Sequence, residues 1–190
     1  MLQSDLPFSE RFLLYADGGG GKTETAVNIA SQVPGQFYVL ESDYSAAWDR
    51  IIATRYPGVA DRAEITQVDD WESLVREFTR VVDEGDPDED WIVIDSASPC
   101  SYEWVQEWVL DQIYGDELSA VLLEARKNAR PSAGKSAGDV FKGQKLELMN
   151  WDLVKKEYRK FWRLIQRWKG HLILTAEAKQ IVYWDKDDTE

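Results

Sequence analysis

Several residue types and patterns are scarce in this chain of 190 residues, and each scarcity excludes a class of protein. One cysteine, Cys100, rules out an internal disulfide, and one histidine, His171, leaves no Cys/His set for a zinc site. No stretch approaches the roughly 18 apolar residues that a membrane span needs, and the first residues lack the pattern of a signal peptide. The sequence therefore predicts a cytoplasmic protein without a membrane partner.

Lysine and arginine are outnumbered by aspartate and glutamate, 22 to 35, and they are unevenly distributed. The formal net charge of −13 argues against a generally basic nucleic-acid binder. Residues 126–170 nevertheless contain thirteen Lys/Arg against four Asp/Glu. This asymmetry predicts one surface that meets something anionic.

The hydrophobic pattern alternates between short buried strands and amphipathic helices, which predicts an α/β fold with a doubly wound, mostly parallel sheet and helices on both faces. The predicted strands are residues 12–15, 37–40, 64–68, 91–96 and 171–176, and the predicted helices are residues 22–30, 46–56, 71–82, 99–114, 117–127 and 151–169. The length suits one domain over residues 1–190, with a flexible basic loop at about 128–149.

A glycine-rich loop follows the first predicted strand, whose residues 12–15 suit burial on both faces of the sheet. Four glycines allow backbone N–H groups to approach an anion, and the next helix directs its positive end to the same place. Lys22 can then reach the β- and γ-phosphates of a nucleotide, and the Thr23 hydroxyl can hold Mg²⁺. The predicted ATP-binding residues are Asp17, Gly18, Gly19, Gly20, Gly21, Lys22, Thr23 and Glu24. Residues 16–23 match the Walker A pattern, with Ala16 at the first glycine.

Two further predicted strands end in acidic residues. The strand at 91–96 delivers Asp95, which is typical of the Walker B carboxylate that orders Mg²⁺ opposite Thr23. The strand at 37–40 is followed by Glu41 and Asp43, at the edge where a parallel sheet binds ligands. Either acid can act as the general base that holds the attacking water, or can position Mg²⁺ indirectly. The alternative is that one of them only caps the next helix.

The basic residues fall on the long loop and on the helix after it. The pattern predicts that Asn150 caps a helix over 151–169, with Val154, Tyr158, Phe161, Trp162, Ile165 and Trp168 on its apolar side. The loop can follow a nucleic-acid backbone, close over the nucleotide or be an unconstrained surface segment. The predicted DNA-contacting residues are Lys135, Lys142, Lys145, Lys156, Arg159, Lys160 and Arg163.

The strand at 171–176 is followed by polar residues, which are candidates to sense the γ-phosphate. The chain resembles the RecA-like P-loop ATPases of bacteriophages, which are related to recombination and single-strand-annealing ATPases. The resemblance rests on residues 16–23, 41–43, 91–96, 150–156 and 172–179.

This resemblance implies a homo-oligomeric ATPase that acts on single-stranded DNA, in the host cytoplasm if the protein is phage-encoded. It assigns activation of the attacking water to Asp43 or, failing it, to Glu41. It assigns to Thr175 or Glu177 the coupling between the nucleotide state and the DNA loops. It assigns to Lys179 a role across a subunit boundary. The predicted catalytic residues are then Lys22, Glu41, Asp43, Asp95 and Glu177.

The glycine loop and helix at residues 18–30 are also similar to the P-loop of ParA-type partition ATPases. Their hallmark is a lysine at the start of that loop, where this chain has Asp17. This departure counts against the ParA similarity. The alternative function is a nucleotide-binding switch or assembly module that does not hydrolyse ATP, either ParA-like or docking through its basic segment on an acidic protein.

Overall fold

The computed structural model describes residues 9–98, 102–115 and 145–178. The strands are β1 (Arg11–Ala16), β2 (Phe37–Glu41), β3 (Ala63–Gln67), β4 (Trp91–Asp95) and β5 (His171–Glu177). The α-helices are α1 (Lys22–Gln32), α2 (Ala47–Arg55), α3 (Trp71–Glu84), α4 (Tyr102–Tyr114) and α5 (Lys145–Arg167), and a 3₁₀ helix covers Pro57–Arg62. Among the described helices, none combines the length and the hydrophobicity that crossing a membrane would require.

The five strands form one sheet in the order β1-β5-β4-β2-β3, and every neighbouring pair is parallel. All strands therefore end at the same edge of the sheet, which is the edge where open α/β sheets bind ligands. The register places Glu41 beside Asp95 and Ala16 beside Glu177. The fold therefore brings the carboxyl ends of β1, β2, β4 and β5 to one edge of the sheet.

Helices cover both faces of the sheet. Side chains of α1 and α2, including Val27 and Trp48, are buried with Phe37 of β2 on one face. Helices α3, α4 and α5 cover the other face, where Phe78 of α3 packs edge-on against Phe161 of α5. The predicted doubly wound α/β fold is confirmed.

The burial of β1 differs from the prediction. We expected residues 12–15 to be buried on both faces, but β1 stands at the edge of the sheet that the described residues form. Leu13 is 65% exposed and Tyr15 63% exposed. An uninterrupted apolar run shows that a strand is favourable, but it does not show how many neighbours cover the strand.

The start of α5 also differs from the prediction. The helix begins at Lys145, so Asn150 lies inside it and does not cap it, and residues 145–149 are helical where we expected a loop. Leucine, lysine, glutamate and methionine in this stretch are good helix formers, and they outweigh the preference of Asn150 for a cap. Trp162, assigned to the apolar side of this helix, is 39% exposed.

Some predictions lie outside the described residues. They are the helix at 117–127, the loop at 128–144 with Lys135 and Lys142, and Lys179.

Candidate functional site

The glycine loop between β1 and α1 needs its glycines for shape. Gly19 and Gly21 have φ values of 74° and 78°, in the left-handed region that residues with a Cβ rarely adopt. A Cβ on Gly20 would lie 2.7 Å from Cβ of Ala16. Three of the four predicted glycines are therefore fixed by conformation or by close contact.

The loop encloses the lysine ammonium. Nζ of Lys22 donates hydrogen bonds to the backbone oxygens of Ala16 and Asp17, each at 3.0 Å. Helix α1 starts at Lys22, and no described side chain caps its first turn. Its first backbone N–H groups can therefore bind an anion, and the helix dipole favours a negative charge there. Glu24, also predicted at this site, is partly buried and pairs with Arg55 of α2.

Asp95, at the tip of β4, joins three elements through one buried carboxylate. Its Oδ2 accepts hydrogen bonds from Oγ1 of Thr23 and from Nε1 of Trp48, each at 2.8 Å. Its Oδ1 accepts a hydrogen bond from the hydroxyl of Thr175 on β5. A carboxylate offers about four acceptor positions, so three donors leave it capacity for another ligand.

Thr23 and Asp95 fit a magnesium site that a nucleotide completes. A hydroxyl and a carboxylate are hard oxygen ligands, and Mg²⁺ in such sites takes its remaining ligands from water and phosphate oxygens. The described residues contain no group of three His, Cys, Asp or Glu side chains that could hold a metal by themselves. The donor set therefore fits Mg²⁺ bound together with a phosphate ligand.

Glu41 is a buried acid with an unused oxygen. It is 5% exposed, and its Oε1 has no hydrogen-bond partner among the described residues. Burial, then the nearby Asp43 carboxylate, raises the pKa of Glu41, and Asp95 adds to this effect. An adjacent cavity of about 400 Å³ is lined by Glu41, Tyr44, Ala46, Asp49, Ala63, Ile65 and Gln67. An acid with these properties is suited to proton transfer.

Asp43 has a different environment. It is exposed, and its Oδ1 accepts hydrogen bonds from the backbone N–H of Ser45 at 3.1 Å and from its hydroxyl at 2.6 Å. These bonds close the turn that leads from β2 towards α2. Helix α2 has Ala46 at its N-cap position and no side-chain cap, so Asp43 closes the preceding turn and does not cap the helix.

The polar end of β5 lies beside the glycine loop. Glu177 is exposed, its backbone N–H donates to Oγ of Ser98 at 2.8 Å, and its Oε1 lies 4.0 Å from the Cβ position of Gly18. Thr175 is fully buried, and its hydroxyl is bonded to Asp95. Of these two candidates, only Glu177 therefore has an exposed side chain beside the glycine loop.

The glycine loop, Glu41 and Asp95 form a crevice at the carboxyl edge of the sheet. The basic residues of α5 lie away from this crevice, on the outer side of the helix layer. Lys156, Arg159 and Arg163 are exposed and form no ion pair with any described residue, whereas Lys160 pairs with Glu157. A groove of about 600 Å³ lies between α3, α4 and α5, and its cationic lining residues are Arg76, Lys160, Arg163 and Arg167. Lys145 is described only as part of the backbone of α5.

Trp48 is the site residue that sequence reasoning missed. It is one of nine tryptophans, and nothing in its sequence neighbourhood distinguishes it from those that only fill the core. Its contact with Asp95 depends on how α2 is placed against β4, which no local pattern specifies.

No protein-family model and no curated protein matches this chain. Among solved structures, the chain is similar to one described as a prototypical ATPase from the type III secretion system of pathogenic bacteria. The identity is 11% and the TM-score 0.45, and the alignment covers 96% of this chain and 47% of the other. This chain thus spans about half the length of that protein, and the likeness concerns the fold alone.

The raised pKa of Glu41 predicts a stability that falls as pH rises. The folded protein holds this proton more tightly than the unfolded chain, so the stability from Glu41 is present below its ordinary pKa of 4.5 and is lost above the raised value. Glu41→Gln keeps the side chain neutral. We expect urea denaturation without nucleotide to show a more stable variant at about pH 8 and no advantage below about pH 4.5. A difference that does not change with pH would contradict this assignment.

Proposed function

We propose that this chain binds ATP together with Mg²⁺ and hydrolyses it. The observation that carries the proposal is the hydrogen bond between Oγ1 of Thr23 and Oδ2 of Asp95, at 2.8 Å across 72 residues of sequence. It joins the helix that follows the glycine loop to the acid that ends a buried strand, and these are the two parts that hold Mg²⁺ in P-loop nucleotide-binding proteins.

The binding roles follow from the positions of the groups. The amides of the glycine loop and of the first turn of α1 would bind phosphate oxygens, and the Lys22 ammonium would exchange its two carbonyl contacts for phosphate. Thr23 and Asp95 would hold Mg²⁺, which neutralises charge that develops on the phosphates. Catalysis would then consist mainly of positioning and charge neutralisation.

Glu41 is the better candidate for the general base. Its free oxygen, its raised pKa and its position beside Asp95 in the register support this role. Asp43 is occupied by the turn at Ser45. These turn-closing contacts support placing Glu41 ahead of Asp43 for this role, whereas the family resemblance placed Asp43 first.

Replacing Lys22 with alanine should remove most nucleotide binding. Nucleotide at about 100 times its dissociation constant stabilises a fold by about 2.7 kcal/mol, and we expect thermal or urea denaturation to show this for the wild-type protein with Mg·ATP. Lys22→Ala should lose most of that gain. Lys169→Ala is the control, because Lys169 is exposed and precedes β5 at the opposite edge of the sheet. Equal stabilisation of both variants would contradict phosphate binding at this loop.

The two acids after β2 should respond differently to loss of charge. Glu41→Gln should lower ATP turnover by about 10²- to 10⁴-fold, which is the usual range for removing a general base, while nucleotide affinity is retained. Asp43→Asn should retain most turnover, because an amide oxygen can still accept the bonds from Ser45. Phosphate release under saturating ATP measures both. Tight nucleotide binding without turnover in the wild-type protein would instead favour the switch or assembly module.

We extend the proposal to single-stranded DNA as the anionic partner of α5. Three exposed cations without a described ion-pair partner, Lys156, Arg159 and Arg163, support this extension, together with the resemblance to phage RecA-like ATPases. Cations that are not paired within the protein can neutralise phosphates without first breaking internal contacts. This surface is basic although the whole chain carries a net charge of −13.

Arg159 provides a direct test of DNA binding. The affinity for a labelled single-stranded oligonucleotide should fall with salt, and Arg159→Ala should reduce the slope of log K against log salt by roughly 0.7, the share of one phosphate contact. Arg50→Ala is the matched control, because Arg50 is equally an exposed helix residue but lies on the helix layer of the other sheet face. Equal slopes for the two variants, or no oligonucleotide binding by the wild-type protein, would reject this partner.

A further inference from the structure

The first turn of α2 lies beside both acids of the crevice. The backbone N–H groups of Ala47 and Trp48 lie near enough to the Glu41 carboxylate to lower its pKa, although burial raises it more. The indole Nε1 of Trp48 donates to Oδ2 of Asp95 at 2.8 Å. Helix α2 thus lies beside the proposed base and is hydrogen-bonded to the proposed magnesium ligand through one side chain.

Two buried tryptophans of the described residues, Trp48 and Trp168, donate their indole N–H groups to different kinds of acceptor. Buried tryptophans normally find a partner for their N–H group, and a backbone carbonyl is sufficient. Trp168, which is also buried, donates to the backbone oxygen of His171 at 2.9 Å. Trp48 is 0% exposed and donates to a carboxylate, which is a stronger bond because the acceptor is charged.

Trp48 and Thr23 donate to the same oxygen of Asp95, Oδ2. With two donors on Oδ2 and the hydroxyl of Thr175 on Oδ1, the rotation of the Asp95 carboxylate is fixed from three directions. Because the indole is neutral, it holds the carboxylate without bringing a positive charge that would compete with a metal ion. Outer partners of this kind commonly change metal affinity by about 10- to 100-fold.

We infer that Trp48 is a positioning residue for Mg²⁺, which acts by holding the Asp95 carboxylate in the orientation that receives the metal. The inference rests on the proposed function, because the metal would bind with the nucleotide. A tryptophan that only filled the core would contribute to folding stability and leave the metal dependence of nucleotide binding unchanged.

The test compares two buried tryptophans that differ in their acceptor. ADP affinity is measured by calorimetry over a series of Mg²⁺ concentrations and in EDTA, for the wild-type protein, Trp48→Phe and Trp168→Phe. We expect Trp48→Phe to raise the Mg²⁺ concentration of half-maximal effect by about 10-fold, with ADP affinity in EDTA unchanged. Trp168→Phe should cost stability and leave the Mg²⁺ dependence as in the wild-type protein.

The outcomes separate the two proposals. If the wild-type protein binds no ADP, or binds it without any Mg²⁺ dependence, the proposed function fails. If the wild-type protein shows the dependence and Trp48→Phe behaves as Trp168→Phe does, only the role of Trp48 is overturned. If Trp48→Phe does not fold, the indole N–H signals of the wild-type protein decide: one of them should move both with Asp95→Asn and when Mg²⁺ is added to the ADP complex. The absence of such a signal would overturn the inference.

Discussion

The structure of the crevice depends on one buried carboxylate. Asp95 is 5% exposed and accepts hydrogen bonds from α1, α2 and β5 through Thr23, Trp48 and Thr175. An ionised group at such a position is costly unless donors surround it, and each donor becomes costly in turn if the carboxylate is removed. The glycine loop, the start of α2 and the end of β5 are therefore fixed relative to one another by a single acceptor.

The strand order explains why these three elements meet. Strand β5 lies between β1 and β4, so the strand that carries the glycine loop is not a direct neighbour of the strand that carries Asp95. Thr175 approaches Asp95 from the adjacent strand, whereas Thr23 reaches it from the first turn of a helix. Because every strand is parallel, each of these groups stands at the same edge.

Local chemistry made part of this site predictable. Glycine runs, buried apolar strands and acids at strand ends are local signals, so the loop and Asp95 could be identified from sequence. The exposure of β1 and the contact of Trp48 depend on which elements become neighbours, which is a long-range property. The start of α5 at Lys145 was missed for another reason: the glycines before it suggested a loop, and helix propensity prevailed over the capping preference of Asn150.

The two acids at the sheet edge, Asp95 and Glu41, differ in whether their oxygens have hydrogen-bond partners. Asp95 has donors on both oxygens, whereas Oε1 of Glu41, its neighbour in the register, is a buried polar atom without a described partner. Leaving a buried acceptor unsatisfied costs roughly 1–3 kcal/mol. Unpaired polar atoms that persist in folded proteins commonly have a functional reason. The fold thus satisfies both oxygens of the acid that we propose for the metal, and it leaves one oxygen without a described partner on the acid that we propose for the reacting water molecule.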